Sequence, residues 1–194
     1  MSREPHVAAV CGSLAPESTT RTALRAVLAA AEGAGAETTL VDLREYDLPP
    51  RGPDRDAGDA PAVRHQVADA DAVVLGTPVY HGSYSSPLKT ALDYCGFDEF
   101  EETTVGLVAT AGGSFPTSAL AHLREVARTL TAWTLPTEVA IPNAGETVGE
   151  DAVVDESVAD RLADLGEAAV AYANVEQYPT VADESRETRV LSGD

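Results

Sequence analysis

Four hydroxyl side chains, Ser13, Ser18, Thr19 and Thr20, crowd the break between an apolar run and a helix-period segment in VAAVCGSLAPESTTRTAL, residues 7–24. Hydroxyl donors around a helix start sit beside unpaired backbone N–H groups and the positive end of the helix dipole, a setting that favours an anion. The residues fit a phosphate cradle with Arg21 available on the helix. They equally fit a ligand-free arrangement in which Ser18 caps the helix and Ser13 makes a turn.

Other phosphate motifs fail by inspection. A triphosphate-binding P-loop needs a second glycine followed by lysine, and the stretch reads GSLAPEST instead. GxGxxG fails because no glycine follows Gly12 until Gly33. A receiver domain would want acidic residues where Gly12 and Gly76 stand.

The stretch VVLGTPVYHGSYSSPLKTALD, residues 73–93, carries a second kind of chemistry. Pro78 stiffens backbone just past a predicted strand, so the N–H groups after it can be aimed at the edge of a flat heterocycle. Tyr80 and Tyr84 add aromatic surface, and Gly82 between them allows close approach. In TAGGSF, residues 110–115, Gly112 and Gly113 let backbone come near a planar ring, although a tight turn would use them too. A terminal monophosphate combined with a flat ring is the pattern of a mononucleotide such as FMN.

No other residue assembles into an obvious catalytic or metal set. His81 lies in the second stretch, where it could donate a proton or simply face solvent. His6, His65 and His122 are scattered and read as surface residues, Trp133 as packing, and Lys89 with Asp93 as a helix pair. Cys11 and Cys95 have no CxxC spacing and no histidine nearby in sequence, which indicates neither a disulfide framework nor a zinc site.

The elements that must position these stretches follow from periodicity. Val- and Ala-rich runs alternate with helix-period segments, the pattern of a parallel sheet with crossover helices. Strands are expected at 6–11, 37–42, 72–75, 104–110 and 135–141, and helices at 19–32, 62–70, 87–94, 117–130 and 156–173. Ser18 is a good N-cap, Gly33 and Gly35 stop the first helix, and Pro87 suits a first turn. Five strands alternating with five helices give a doubly wound α/β sheet. Its ligands collect at the carboxyl ends of the strands, in the loops 12–18, 76–86 and 111–115. DLPPRGPDRDAGDAP, residues 47–61, is a long surface loop, either a lid or a spacer. One domain over 1–175 and a polar tail over 176–194 complete the organisation.

Bulk composition narrows the partners. The 194 residues are 44% hydrophobic, enough for one core, and carry a formal net charge of −19. That charge repels nucleic acid and anionic membrane surfaces. Without the low hydrophobicity of a disordered chain, it reads as a carboxylate-hydrated surface suited to high salt. The N-terminus MSREPHVAAV has no signal-like apolar stretch, and no segment approaches a membrane span, so the cytoplasm is expected.

GSLAPESTTRTAL and TPVYHGSYSSPLKTALDY, supported by ATAGGS, resemble the NAD(P)H-dependent FMN reductases, a flavodoxin-like family that includes quinone, azo and chromate reductases. The resemblance implies a five-stranded parallel sheet in the order 2-1-3-4-5 with helices on both faces. It puts Ser13, Ser18, Thr19 and Thr20 on the FMN phosphate. Pro78, Val79, Tyr80 and His81 would lie along the flavin ring and ribityl chain, with Ala111, Gly112 and Gly113 on the other side. The chain departs from the family in having Ala15 and Thr20 where Arg and Asn are common, and Ser85-Ser86 where many have Pro-Gly. The implied activity is hydride transfer from NAD(P)H through FMN to a small-molecule acceptor, with no side-chain acid or base required. The implied assembly is a homodimer or homotetramer. A flavodoxin-like electron carrier would use the same FMN site without oxidising nicotinamide, and a relative that has lost flavin would bind something else.

Overall fold

Val7, Ala9 and Cys11 face one side of the first strand, Ala8 and Val10 face the other, and all five are buried. Continuous burial of that kind belongs to a strand inside a parallel sheet covered on both faces. The computed structural model describes residues 3–173, so the polar tail expected over 176–194, and the boundary of the domain at 175, lie outside the described residues.

The elements run β1 (His6–Cys11), α1 (Thr19–Gly33), β2 (Glu37–Asp42), a 3-10 turn (Leu43–Glu45), α2 (Ala60–Ala68) and β3 (Ala72–Tyr80). They continue with β4 (Ser83–Tyr84), α3 (Ser86–Tyr94), α4 (Phe97–Phe100), β5 (Thr104–Thr110), α5 (Thr117–Thr129), β6 (Trp133–Ile141), α6 (Ala144–Thr147) and α7 (Glu156–Ala171). The sheet order is β2-β1-β3-β5-β6, all parallel, with β4 pairing antiparallel to β3. The five-stranded expectation is therefore corrected to six strands, the extra one being a short hairpin arm.

One face packs against α1 and α7 through Leu24, Val27, Leu162 and Leu165, and the other against α2, α3 and α5 through Val63, Leu88 and Leu120. The two long helices of the first face come unusually close. A Cβ on Gly166 of α7 would sit 2.4 Å from the Val27 carbonyl oxygen of α1, so only glycine fits there.

Local chemistry explains the helix ends. Ser18 Oγ accepts the Arg21 N–H at 3.2 Å and caps α1. At its other end Gly35 has φ +91°, while the Gly35 and Ala36 N–H groups reach back to the carbonyls of Glu32 and Ala31.

The third strand runs through Tyr80 rather than stopping at 75, which places Pro78 inside it. β1 ends with Cys11 opposite Gly76, so beyond that point β3 has an unpaired side where a missing proline N–H costs nothing. The edge strand β6 also carries a proline, Pro136. Between the pairs Val105–Thr134 and Leu107–Glu138 it has three residues against one on β5, and Pro136 lies in that bulge.

Candidate functional site

A parallel sheet delivers the carboxyl ends of β1, β3 and β5 to one edge, and three loops meet there. Buried hydrogen bonds stitch them together. The Gly12 N–H donates to the Gly76 carbonyl at 2.8 Å, and Ser85 Oγ donates to the Gly12 carbonyl at 2.7 Å. The Ser85 N–H in turn donates to Thr77 Oγ1 at 2.9 Å, while Ser85 Oγ caps α3 by accepting from Leu88 N–H. A Cβ on Gly12 would fall 2.7 Å from Leu88 Cβ, and one on Gly76 2.5 Å from Leu24 Cδ1, so both glycines are required by packing.

In the first loop Ser13 and Ser18 are buried and Thr19 is half-buried at the start of α1, whose first turn holds no acidic residue. Ser13 Oγ accepts the Ala15 N–H at 3.4 Å. Thr20, 1% exposed, faces the third loop, its hydroxyl 2.6 Å from that of Thr110.

Arg21 is not available to a ligand, contrary to the sequence-based expectation. Only 4% exposed, it donates from Nε to Asp42 Oδ2 at 2.7 Å, from Nη1 to the Pro16 carbonyl at 3.0 Å and from Nη2 to the Ala15 carbonyl at 3.1 Å. Asp42 ends β2 and also accepts from Arg44 Nη2 at 2.8 Å. Burial alone would push the Asp42 carboxyl up, but hydrogen bonds from Arg44 and Arg21 outweigh it and hold the group below the usual carboxylate range. Sequence reading misses Asp42 as a partner, although an acid directly after the apolar pair Leu40-Val41 at a strand end is the available signal.

The second stretch is a β-hairpin. Tyr80 pairs with Ser83 across the two-residue turn His81-Gly82, whose φ values of +50° and +77° are those of a type I′ turn. Gly82 is thus a turn glycine. Pro78 and Val79 are half-buried, His81 is exposed, and Tyr80 stands 57% exposed beside the loops. The hairpin leans on α5, where Ser83 Oγ lies 3.0 Å from His122 Nδ1.

The third loop begins at buried Ala111, whose N–H donates to the Ile141 carbonyl and whose carbonyl accepts from Ala144 N–H. Gly112 and Gly113 are exposed, neither has positive φ, and a Cβ on either would meet nothing within 4 Å. No turn and no packing demands glycine at these two positions, yet they border the strand ends. That is the surface a planar ligand could approach against bare backbone. The protein atoms therefore fit a group with a flat ring and an anionic end. Phe115, 81% exposed, follows directly.

Neither cysteine is poised to react, since burial pushes both thiols up, Cys95 to about 12. The loop 47–61 is pinned rather than free. The Asp59 N–H donates to the Asp47 carbonyl at 2.8 Å, and Tyr94 Oη donates to the Pro49 carbonyl at 2.9 Å. A hollow of about 230 Å³ lies between this loop, Leu14 and the start of α3, and one of about 320 Å³ lies between α3 and α5. Among the described residues no helix is long and apolar enough to cross a membrane.

The family model described as NADPH-dependent FMN reductase matches residues 5–146. FMN-dependent NADPH-azoreductase of Staphylococcus aureus is 39% identical over 89 residues, 46% of this chain and 47% of the relative. The match thus spans about half the length of that curated relative. Among solved structures, an apo NADH:FMN oxidoreductase aligns with TM-score 0.71 at 19% identity, covering 97% of this chain and 100% of the other. The flavoenzyme NAD(P)H:(acceptor) oxidoreductase of Paracoccus denitrificans aligns with TM-score 0.73 at 23% identity, covering 87% and 97%. An archaeal flavodoxin aligns with TM-score 0.61 at 10% identity, covering 88% and 99%. At these identities the structural matches speak for the flavodoxin-like fold.

Proposed function

The chain belongs to the NADPH-dependent FMN reductase family, and from that premise we propose that it binds FMN across its three stitched loops and uses NAD(P)H to reduce a small-molecule acceptor. The observation that carries this reading is the pair of exposed glycines, Gly112 and Gly113, for which the protein itself has no steric need. They border strand ends whose opposite loop presents hydroxyls and helix N–H groups.

The chain's own contributions are binding and orientation. Ser13, Ser18 and Thr19 offer hydroxyls and Thr20 its backbone N–H to the phosphate, since the Thr20 hydroxyl is engaged with Thr110. Pro78, Val79, Tyr80 and His81 line one side of the ring, and Ala111, Gly112 and Gly113 the other. Bound FMN would supply the redox chemistry, accepting a hydride from the nicotinamide and returning electrons to the acceptor. With no side chain needed as acid or base, the protein's work is to hold a rigid backbone frame and leave one face open to alternating ligands. The acceptor class, a free flavin, quinone, azo compound or metal oxyanion, follows the family. So do a homodimer or homotetramer and a cytoplasmic setting. The acidic surface suits high salt.

An anaerobic visible spectrum with FMN, recorded before and after NADPH and then NADH, tests the proposal. Bleaching of the oxidised flavin band supports it. A bound flavin that neither nucleotide reduces favours the electron carrier, and no flavin binding overturns the site.

A further inference from the structure

A buried arginine beside a phosphate loop would ordinarily be taken as the counter-ion, but Arg21 faces the other way. All three of its contacts are to protein: the Asp42 carboxylate and the carbonyls of Ala15 and Pro16. Those carbonyls belong to consecutive peptides. Peptides are planar and none among the described residues is cis, so each carbonyl points opposite to the N–H of the next residue. The Ala15–Pro16 peptide has no N–H at all. The Pro16–Glu17 peptide has one, and with its carbonyl held by Nη1 the Glu17 N–H is directed away from Arg21. Two negative carbonyl ends are thereby turned into the protein, and the N–H that remains is left on the outer side of the loop, next to the first turn of α1.

Charge does not oppose the orientation. Asp42 is shared by Arg21 and Arg44, and the Glu45 carboxylate also acts on Arg44, so the cluster beneath the loop balances two guanidinium groups against two carboxylates in a chain of net charge −19. Lysine could not replace Arg21, since its single ammonium nitrogen cannot occupy the three positions from which Nε, Nη1 and Nη2 donate.

We propose that Arg21, held by Asp42, is a positioning residue that presets the first loop for a phosphate and so makes the site select phosphorylated over unphosphorylated flavin. The inference rests on the proposed FMN site and adds a residue that acts from behind the loop without touching the ligand.

The test compares dissociation constants for FMN and riboflavin, read by quenching of flavin fluorescence, in the wild type and in Arg21→Lys. The expected result is a roughly tenfold or greater loss of FMN affinity with riboflavin affinity unchanged. Equal losses for both flavins would make Arg21 merely structural, and no loss for either would leave it without a role; both overturn the proposal. Should Arg21→Lys fail to fold, Asp42→Asn, which keeps an oxygen for Nε, must lower the ratio of FMN to riboflavin affinity in the same direction, and an unchanged ratio is equally fatal. A wild type that binds both flavins alike contradicts the preset loop alone. One that binds neither removes the proposed function, and this inference falls with it.

Discussion

The Thr20 and Thr110 hydroxyls meet at 2.6 Å in the protein interior, 90 positions apart in sequence, and join the start of α1 to the end of β5. Thr110→Val leaves the buried Thr20 hydroxyl without its partner, at a cost of about 1–3 kcal/mol. The double variant Thr20→Val/Thr110→Val should recover most of that loss in urea unfolding, because removing both partners leaves nothing unsatisfied.

Gly112→Ala and Gly113→Ala should separate stability from binding. Each new methyl enters open space at an ordinary φ, so thermal unfolding stays within about 0.5 kcal/mol of wild type. FMN affinity, measured by fluorescence titration, should fall because the methyl occupies the approach to the backbone.

Gly166→Ala should do the reverse. Its Cβ would lie 2.4 Å from the Val27 carbonyl oxygen and 2.9 Å from Ala30 Cβ, forcing α1 and α7 apart at about 1–3 kcal/mol. The melting temperature drops by several degrees.

Asp42 sets a pH dependence. Its carboxyl is held below the ordinary range, so the stabilisation it provides is complete above the unfolded value of about 3.9 and is lost as pH falls through the lower folded value. The stability gap between wild type and Asp42→Asn, from urea curves at neutral and acid pH, should be wide at neutrality and close as the solution becomes more acidic than the ordinary carboxylate pKa.

His81→Asn tests whether the imidazole has any role beyond the turn. Asparagine tolerates the left-handed conformation that His81 adopts at φ +50°. The melting temperature should therefore hold or rise, and with FMN saturating the rate of nicotinamide oxidation should fall by less than tenfold, the change expected of a residue that only lines the ring. A rate loss beyond tenfold would assign the ring to the chemistry.

Much of the sheet was legible because burial on both faces leaves long Val/Ala runs. The bounds of β1, β2 and β5 coincide with expectation, as does the start of α1 at Thr19. β3 was cut short because Gly-Thr-Pro reads as a loop. Whether proline interrupts a strand depends on where the neighbouring strand ends, here at Cys11, and one strand's sequence does not carry that. The hairpin β4 escaped because its turn is His-Gly rather than the more obvious Asn-Gly. The site followed the same division. The three loops that meet at the sheet edge are marked in sequence by glycines and hydroxyls, whereas Asp42, Ser85 and Thr110, which help to fix them, act through Arg21, Gly12 and Thr20, far away in sequence. For Arg21 the sequence gives a position on the helix and not the direction of its guanidinium, which turns inward to Asp42.

The bulge around Pro136 bears on how copies of this chain can meet. An outermost strand with regular spacing offers a row of free amides and carbonyls that a second chain can extend into a continuous sheet. Here β6 lacks one amide and is out of step with β5 over three residues, so that template is interrupted midway. Growth by strand addition is disfavoured on this side.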